Sequence, residues 1–481
     1  MGQVGKGHVD MEPATQQDLD SYRLARAELD QMRIPVLLPD DDPHARLYVA
    51  ALDGTGNSML NDSPEKWSAV AKIASQVEVL RSSGVKNIGG GYVEGTFTQE
   101  GLLRAPSRLL DGVFAHSFDE RVETAYYQFC LQSREWLIED PQAQIRVAGV
   151  GFSRGSEEVT ALQRLINERG IRDPEGAQVK LDQDNLIQKV KYADRPLLVP
   201  PGKTLQAALL LDPVATGVKD EERVLPSSNL STFEISAQHE IRDQYKNNEH
   251  VPQGFSQDGR DLNVTVPGAH SDIGNAYEKN GLGVLSFNLG VEYLNRLSDT
   301  PYLKRQVEPT DPSQYVIHRS DQHMMGLYTT RGYDKDGVRD TVEDQSPRPG
   351  VQRREPIDPN LAAQVEWRSG PATTVQKVDV PASKENINQV SPIGAPNTRV
   401  DRSETDIWLD RAFTSYMGSD PRAFSDTMTA YRASAQGMEW TKEQQGFSAK
   451  LREQERADEL QQQAMMAEQQ QVQQRATAIH R

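Results

Sequence analysis

Gly151-Phe-Ser-Arg-Gly155 constrains this chain more than any other stretch, because of what flanks it. Upstream, Ile145-Arg-Val-Ala-Gly-Val150 is a short β-branched run that reads as a buried strand. Downstream, Val159, Leu162, Leu165 and Ile166 recur at helical spacing. A turn this sharp between strand and helix forces its serine into a strained backbone, and Gly151 and Gly155 leave room for the two elements to pass closely. Ser153 is thereby lifted to the C-terminal edge of a sheet. The N-terminus of a helix lies beneath it, and the backbone N–H of Arg154 is at hand as an oxyanion donor.

A Gly-x-Ser-x-Gly at such a junction is a nucleophile elbow, and the fold expected around it is α/β-hydrolase-like: a mostly parallel sheet flanked by helices. The nucleophile then needs an acid and a base, following in the order Ser, Asp, His. Leu205-Gln-Ala-Ala-Leu-Leu-Leu-Asp212-Pro-Val is an apolar strand ending on a carboxylate. Leu262-Asn-Val-Thr-Val266 is a second strand, followed by Pro267-Gly-Ala-His270-Ser-Asp272-Ile-Gly274. Residues just past strand C-termini share the sheet edge on which the elbow stands. His270 is expected to take the Ser153 proton, and Asp212 to hold the imidazole in the right tautomer. Taken singly, a surface-loop histidine and a strand-end carboxylate are the commoner readings; together and in this order they are not. Asp272 is the rival acid, but two residues from His270 it reads better as a loop-shaping Asx-turn residue.

Leu47-Tyr-Val-Ala-Ala-Leu52 reads as the first strand of the sheet, with Asp53-Gly54-Thr55-Gly56-Asn57 as a glycine-rich turn leaving its end. Successive N–H groups in such a turn form an anion-binding nest. Gly54 or Thr55 is expected to supply the second oxyanion donor, with Asp53 anchoring the loop and Asn57 helping to shape it. No Gly-Lys-Ser/Thr follows the glycines, so a phosphate cradle is excluded. A divalent metal on Asp53 is the weaker reading, since no second carboxylate has ligand spacing nearby, and no cofactor is expected.

These segments together resemble the Tle-type phospholipase effectors of type VI secretion, whose catalytic domain was long one of unknown function. The resemblance rests on Leu52-Asp-Gly-Thr-Gly-Asn57, Gly149-Val-Gly-Phe-Ser153-Arg-Gly155, Asp212-Pro-Val and Pro267-Gly-Ala-His270-Ser-Asp-Ile-Gly274. To these add Gly90-Gly-Tyr-Val-Glu-Gly-Thr96, the amphipathic helix from Asp119 to Cys130, and Ala237-Gln-His-Glu-Ile-Arg242-Asp-Gln-Tyr245. It covers residues 47 to 325. Departures are Ser156 where alanine is usual, Asp-Pro-Val for Asp-Thr-Val, and Asn275-Ala for a glycine pair. What the resemblance implies is ester hydrolysis on phospholipids, delivery into rival bacteria, and a cognate immunity protein that blocks the site in the producer. Within the enzyme class the alternative is a housekeeping small-ester hydrolase or thioesterase. Outside it, the alternative is a catalytically silent adaptor or delivery protein.

Charge and composition bound the rest. The net charge of −17 argues against a nucleic-acid partner and against tight electrostatic attraction to anionic membrane. Apolar content is 36%, below the usual value of about 45–50%, so part of the 481 residues is expected outside any packed core. Cys130, the single cysteine, excludes an internal disulfide and reads as a small core residue. The polar stretch from Met1 to Asp10 lacks the apolar run of a signal peptide. The expectation is synthesis in the cytoplasm and export by a specialised machine, with action in the periplasm of a target cell.

Four regions are expected: an N-terminal extension (1–46), a hydrolase domain (47–330), an irregular linker (331–403) and a helical C-terminal region (404–481). Within the hydrolase, residues 167–204 read as an insertion that overhangs the site as a lid or cap, or as a disordered surface loop. In the last region, Ile407, Trp408, Leu409, Ala412, Phe413 and Tyr416 form a candidate docking face. The glutamine-rich tail from Trp440 reads either as a solvated helical or disordered tail or, by its weak resemblance to C-terminal signals of antibacterial type IV secretion effectors, as a delivery signal, leaving type VI and type IV machines both open as delivery partners.

Overall fold

Alternating and continuous apolar runs build one central sheet. The computed structural model describes residues 9–54, 57, 59, 66–95, 107–181, 187–215, 224–242, 245, 247–322 and 354–370. The chain divides into two units, Met1–Asp379 and Val380–Arg481, and every described residue lies in the first. In chain order its elements begin β1 (Met11–Pro13), α1 (Gln16–Leu29), β2 (Ile34–Pro35), β3 (Ala45–Leu52), α2 (Ala69–Ser82), β4 (Ile88–Val93), α3 (Ser107–Glu139), β5 (Gln144–Phe152) and α4 (Arg154–Arg169). They continue with β6 (Gln178–Leu181), β7 (Ile187–Lys191), β8 (Leu205–Leu211), β9 (Asn229–Ala237), β10 (Gly254–Phe255), β11 (Asp261–Val266), α5 (His270–Ile273), α6 (Gly281–Arg296) and β12 (Val316–His318). A short helix at Pro359–Ala362 and the strand β13 (Trp367–Arg368) complete the described part.

The sheet runs β10-β11-β9-β8-β5-β3-β4, parallel throughout except for the antiparallel edge strand β10. Strand order reverses between β3 and β5, the kind of switch point outside which ligands bind in open α/β sheets. Period-two alternation feeds two cores. On one face Leu47, Val49 and Ala51 of β3 meet Tyr22 and Leu29 of α1, Ile73 and Val77 of α2, and Phe287 and Leu294 of α6. On the other, Tyr48, Ala50 and Leu52 meet Tyr126 and Phe129 of α3 and Val159 and Leu162 of α4. Cys130 is buried in this second core, and burial pushes its thiol up to about 12. This is the α/β-hydrolase-like architecture.

Two organisational expectations change. Residues 9–46 are not an appendage. β1 pairs with β12, and Tyr22, Ala25, Leu29, Met32, Ile34 and Leu37 belong to the main core. Tyr22, Ala25 and Leu29 form a narrow stripe on α1 that the charged residues between them conceal in the sequence. The 331–403 segment likewise contributes: β13 pairs with β2, and Leu361 is buried in the same core. The expected docking face at 407–416 and the glutamine-rich tail lie outside the described residues.

The 167–204 insertion is rooted at the end of the sheet opposite the elbow. A helix that follows a parallel strand runs back toward the strand N-termini, so α4 delivers the chain to the edge opposite Ser153. There Ile171 and Val199 bridge, just ahead of β8. From that root the β6–β7 hairpin lies along α3, with the Ile187 N–H donating to Thr124 Oγ1 (2.8 Å).

Candidate active site

β5 ends at Phe152, and the chain turns into α4 through Ser153 at φ 59° and ψ −126°. A side chain rarely adopts this backbone, and such strain costs about 1–3 kcal/mol. The glycines beside it are obligatory. A Cβ on Gly151 would sit 2.5 Å from Ser156 Cα, and one on Gly155 would run into the Leu52 carbonyl. The elbow therefore packs directly on the end of β3. Gly155→Ala is expected to destabilise the protein by at least about 2 kcal/mol, as overpacking a backbone contact does; a denaturant titration reads this. An unchanged midpoint would contradict the close packing of elbow on β3.

Ser153 is buried, and its Oγ makes no hydrogen bond to the described residues. Its backbone is pinned on both sides: the N–H donates to Leu211 O (2.9 Å), and the carbonyl accepts from Val214 N–H (3.3 Å). Both partners flank Asp212, which follows β8 in a left-handed conformation at φ 39°. One Asp212 oxygen accepts from the Ala237 N–H (2.8 Å), and the other lies 2.6 Å from His270 Nδ1. A carboxylate at that nitrogen fixes the proton on Nδ1 and leaves Nε2 as the basic lone pair.

His270 opens the one-turn helix α5 and is held from all sides. Its ring stacks on Phe152 (4.6 Å between centroids), the residue next to the nucleophile, and Tyr245 meets it edge-on at 5.0 Å. Its backbone N–H donates to Glu240 Oε2 (3.2 Å). Glu240 in turn accepts Arg242 Nε and Nη2 at 2.8 Å each, and that guanidinium covers the Tyr245 ring. Burial lowers the imidazole below its ordinary value of 6.5, against the opposing pull of Asp212. The neutral base thus persists into mildly acidic solution. For a reaction needing that base, the acid limb of kcat/KM is expected below pH 6.5, measured with a water-soluble ester. A limb at or above that value would contradict the burial argument.

The Asp53–Asn57 turn stands beside the elbow. Asp53 anchors it: Ser68 Oγ (2.6 Å) and the Tyr92 hydroxyl (2.8 Å) both donate to Oδ2. Lys72 lies near this carboxylate. Burial pushes its ammonium down to about 8 while Asp53 opposes the shift, and Nζ donates to Asn275 O (3.2 Å). Asn57 accepts from Gly95 N–H through its carbonyl and donates to Gly54 O through Nδ2 (3.1 Å). Gly54 corrects the sequence reading. Its N–H is already given to Asp53 Oδ1 (2.7 Å), so it is not aimed at an oxyanion. What Gly54 supplies is proximity, since a Cβ there would lie 3.1 Å from Ser153 Cβ and 2.6 Å from the Phe152 ring. Thr55 lies outside the described residues. Arg154 is the first residue of α4, where backbone N–H groups have no helical acceptor.

Asp272 is committed elsewhere than to His270. It accepts from Ala269 N–H (2.9 Å) and from both the N–H and Nδ1 of His318 (3.1 and 2.6 Å). Several supporting residues left no mark in the sequence. Ser68 and His318 are one-residue signals far from their partners. So is the buried Glu157, which ties the first turn of α4 to Asn248 and His250 behind the Asp212 loop.

A mostly parallel sheet with the strand order given above, a strained serine elbow, and an Asp–His pair at the same edge define an α/β-hydrolase-like protein. Residues 46–195 match the family described as the type VI secretion phospholipase effector Tle1-like catalytic domain. Over this stretch the chain is similar to a Tle1-like catalytic domain. The match includes β3 and the elbow, while Asp212 and His270 lie beyond it. Among solved structures the chain is similar to an uncharacterized Pseudomonas aeruginosa protein (15% identity, 63% of this chain, 52% of that one, TM-score 0.34). It is also similar to the Tle1 effector bound to the VgrG spike of the type VI secretion system (17%, 48% and 51%, TM-score 0.29). A third is dienelactone hydrolase from Anabaena variabilis (14%, 52% and 84%, TM-score 0.22). The chain spans about half the length of the first two. No curated protein matches it.

Proposed function

We propose that this protein is a serine ester hydrolase that cuts phospholipid acyl esters and is delivered into rival bacteria as a toxic effector. The observation that carries this reading is the buried Asp212–His270 pair, 2.6 Å apart, stacked against the residue preceding a strained elbow serine. Ser153 Oγ attacks the ester carbonyl while His270 Nε2 takes its proton, and Asp212 stabilises the imidazolium that forms. The tetrahedral oxyanion develops at the N-terminus of α4, where the Arg154 N–H and the helix dipole favour negative charge. His270 then protonates the departing alcohol. Water, activated by the same imidazole, releases the fatty acid from Ser153.

The similarity of residues 46–195 to the type VI secretion phospholipase effector domain supports delivery by such a machine. The proposed partners are a secretion-machine component and an immunity protein covering the sheet edge that bears Ser153 and His270. Incubation with mixed phospholipids, with products identified by mass spectrometry, tests the chemistry. Released fatty acid and lysophospholipid are expected; active turnover of small esters with lipids untouched would favour a housekeeping esterase. Expression with an added periplasmic signal is expected to be toxic, and cytoplasmic expression much less so. Equal harmlessness in both compartments, with active enzyme present, would contradict the effector reading.

A further inference from the structure

We infer that His318 is a positioning residue for His270, acting through Asp272; this rests on the serine-hydrolase reading of the site. α5 is a single turn of four residues, too short to hold its own geometry, since helix nucleation is unfavourable without tertiary support. Where His270 points is therefore set by what grips α5 from outside. Asp212 and Glu240 grip His270 itself, by its ring and its backbone N–H. The third grip is Asp272, two residues on. Its carboxylate bridges the Ala269 N–H at the start of α5 to the backbone and ring of His318, across 46 residues of sequence.

His318 is itself firmly seated. It closes β12, paired with Met11 of β1, and its ring stacks on Tyr277 at 3.7 Å and 12°. Tyr277 is held through its hydroxyl by Ser320 (3.0 Å). Asp272 and His318 are both almost fully buried, so their pairing at 2.6 Å is a satisfied ionisable contact in a water-poor setting, where losing one partner strands the other. A buried second Asp–His pair thus locks the catalytic turn to the β1–β12 ribbon. Gly268 is part of the same lock: it adopts φ +129°, and a Cβ there would come within 2.9 Å of Asp272 Cβ.

Two variants separate the hydrogen bond from the ring. His318→Asn keeps a donor near the Nδ1 position and gives up the stack on Tyr277; His318→Phe keeps the stack and gives up the donor. With a water-soluble ester, His318→Phe is expected to lower kcat by about 10–100-fold, the scale of a misplaced reacting group, with KM within about twofold. His318→Asn is expected to restore most of that loss. Should His318→Phe not yield folded protein, Asp272→Asn, which weakens the bond without removing a side chain, is expected to lower kcat about tenfold at unchanged KM. Wild-type kcat in His318→Phe would overturn the inference, as would Asn and Phe variants losing activity equally in step with melting temperature. The parallel Ser153→Ala control keeps the two claims apart. Turnover there would sink the hydrolase reading itself, whereas a dead Ser153→Ala beside a fully active His318→Phe would sink only the positioning role.

Discussion

Ser153→Ala is expected to abolish ester hydrolysis, lowering kcat on the order of 10⁴–10⁶-fold, while the protein stays folded. The substitution removes only the attacking oxygen. Ser153 Oγ makes no hydrogen bond to the described residues, so its loss strands no partner. The backbone contacts that pin the elbow, from Ser153 N–H to Leu211 O and from Val214 N–H to the Ser153 carbonyl, survive in any residue. A companion substitution isolates the strain. At φ 59° and ψ −126° a glycine is comfortable and an alanine is not, so Ser153→Gly is expected to be about 1 kcal/mol more stable than Ser153→Ala and equally inactive. Stability traded for activity at this one position is what a strained nucleophile elbow requires. Wild-type turnover in either variant would remove Ser153 from the mechanism.

His270→Ala is expected to be as severe as the serine change, and the double variant scarcely worse, because the two residues act as a unit. Asp212→Asn is expected to cost on the order of 10⁴ in kcat. An amide at this position can still accept from Ala237 N–H, but toward His270 it holds the wrong imidazole tautomer. Asp272→Asn is expected to do far less, since Asp272 faces His318 and the α5 N-terminus and not the catalytic ring. Steady-state kinetics on one soluble ester compares all four. A crippling Asp272→Asn beside a harmless Asp212→Asn would reverse the acid assignment.

Local pattern and chain order made much of this legible in advance. Strand, glycine-flanked serine and amphipathic helix are contiguous, so the elbow could be read from about twenty neighbouring residues. Asp212 and His270 each follow a short apolar strand. In a parallel sheet that alone sends both to one edge. What escaped was non-local or topological. Gly54 lies where an oxyanion donor would be wanted, but whether its N–H turns outward or back to the Asp53 carboxylate depends on Ser68 and Tyr92, 15 and 39 residues from Asp53. The 167–204 insertion reads from sequence as a lid or as a surface loop, and its root, the Ile171–Val199 bridge, follows from the return path of α4 to the end of the sheet opposite the elbow. The first 46 residues read as an extension because three core side chains on α1 are outnumbered by charged ones. Tertiary burial, not periodicity strength, decides membership of a core.

The most direct test of the account is the site of modification by a serine-directed phosphonate, mapped by peptide mass spectrometry on the folded, full-length chain. One adduct is expected, on Ser153, formed at a rate that collapses in His270→Ala because the neutral imidazole is what activates the oxygen. An enzyme that hydrolyses esters while Ser153 stays unlabelled, or that is labelled at another serine with loss of activity, would contradict the elbow as the seat of catalysis.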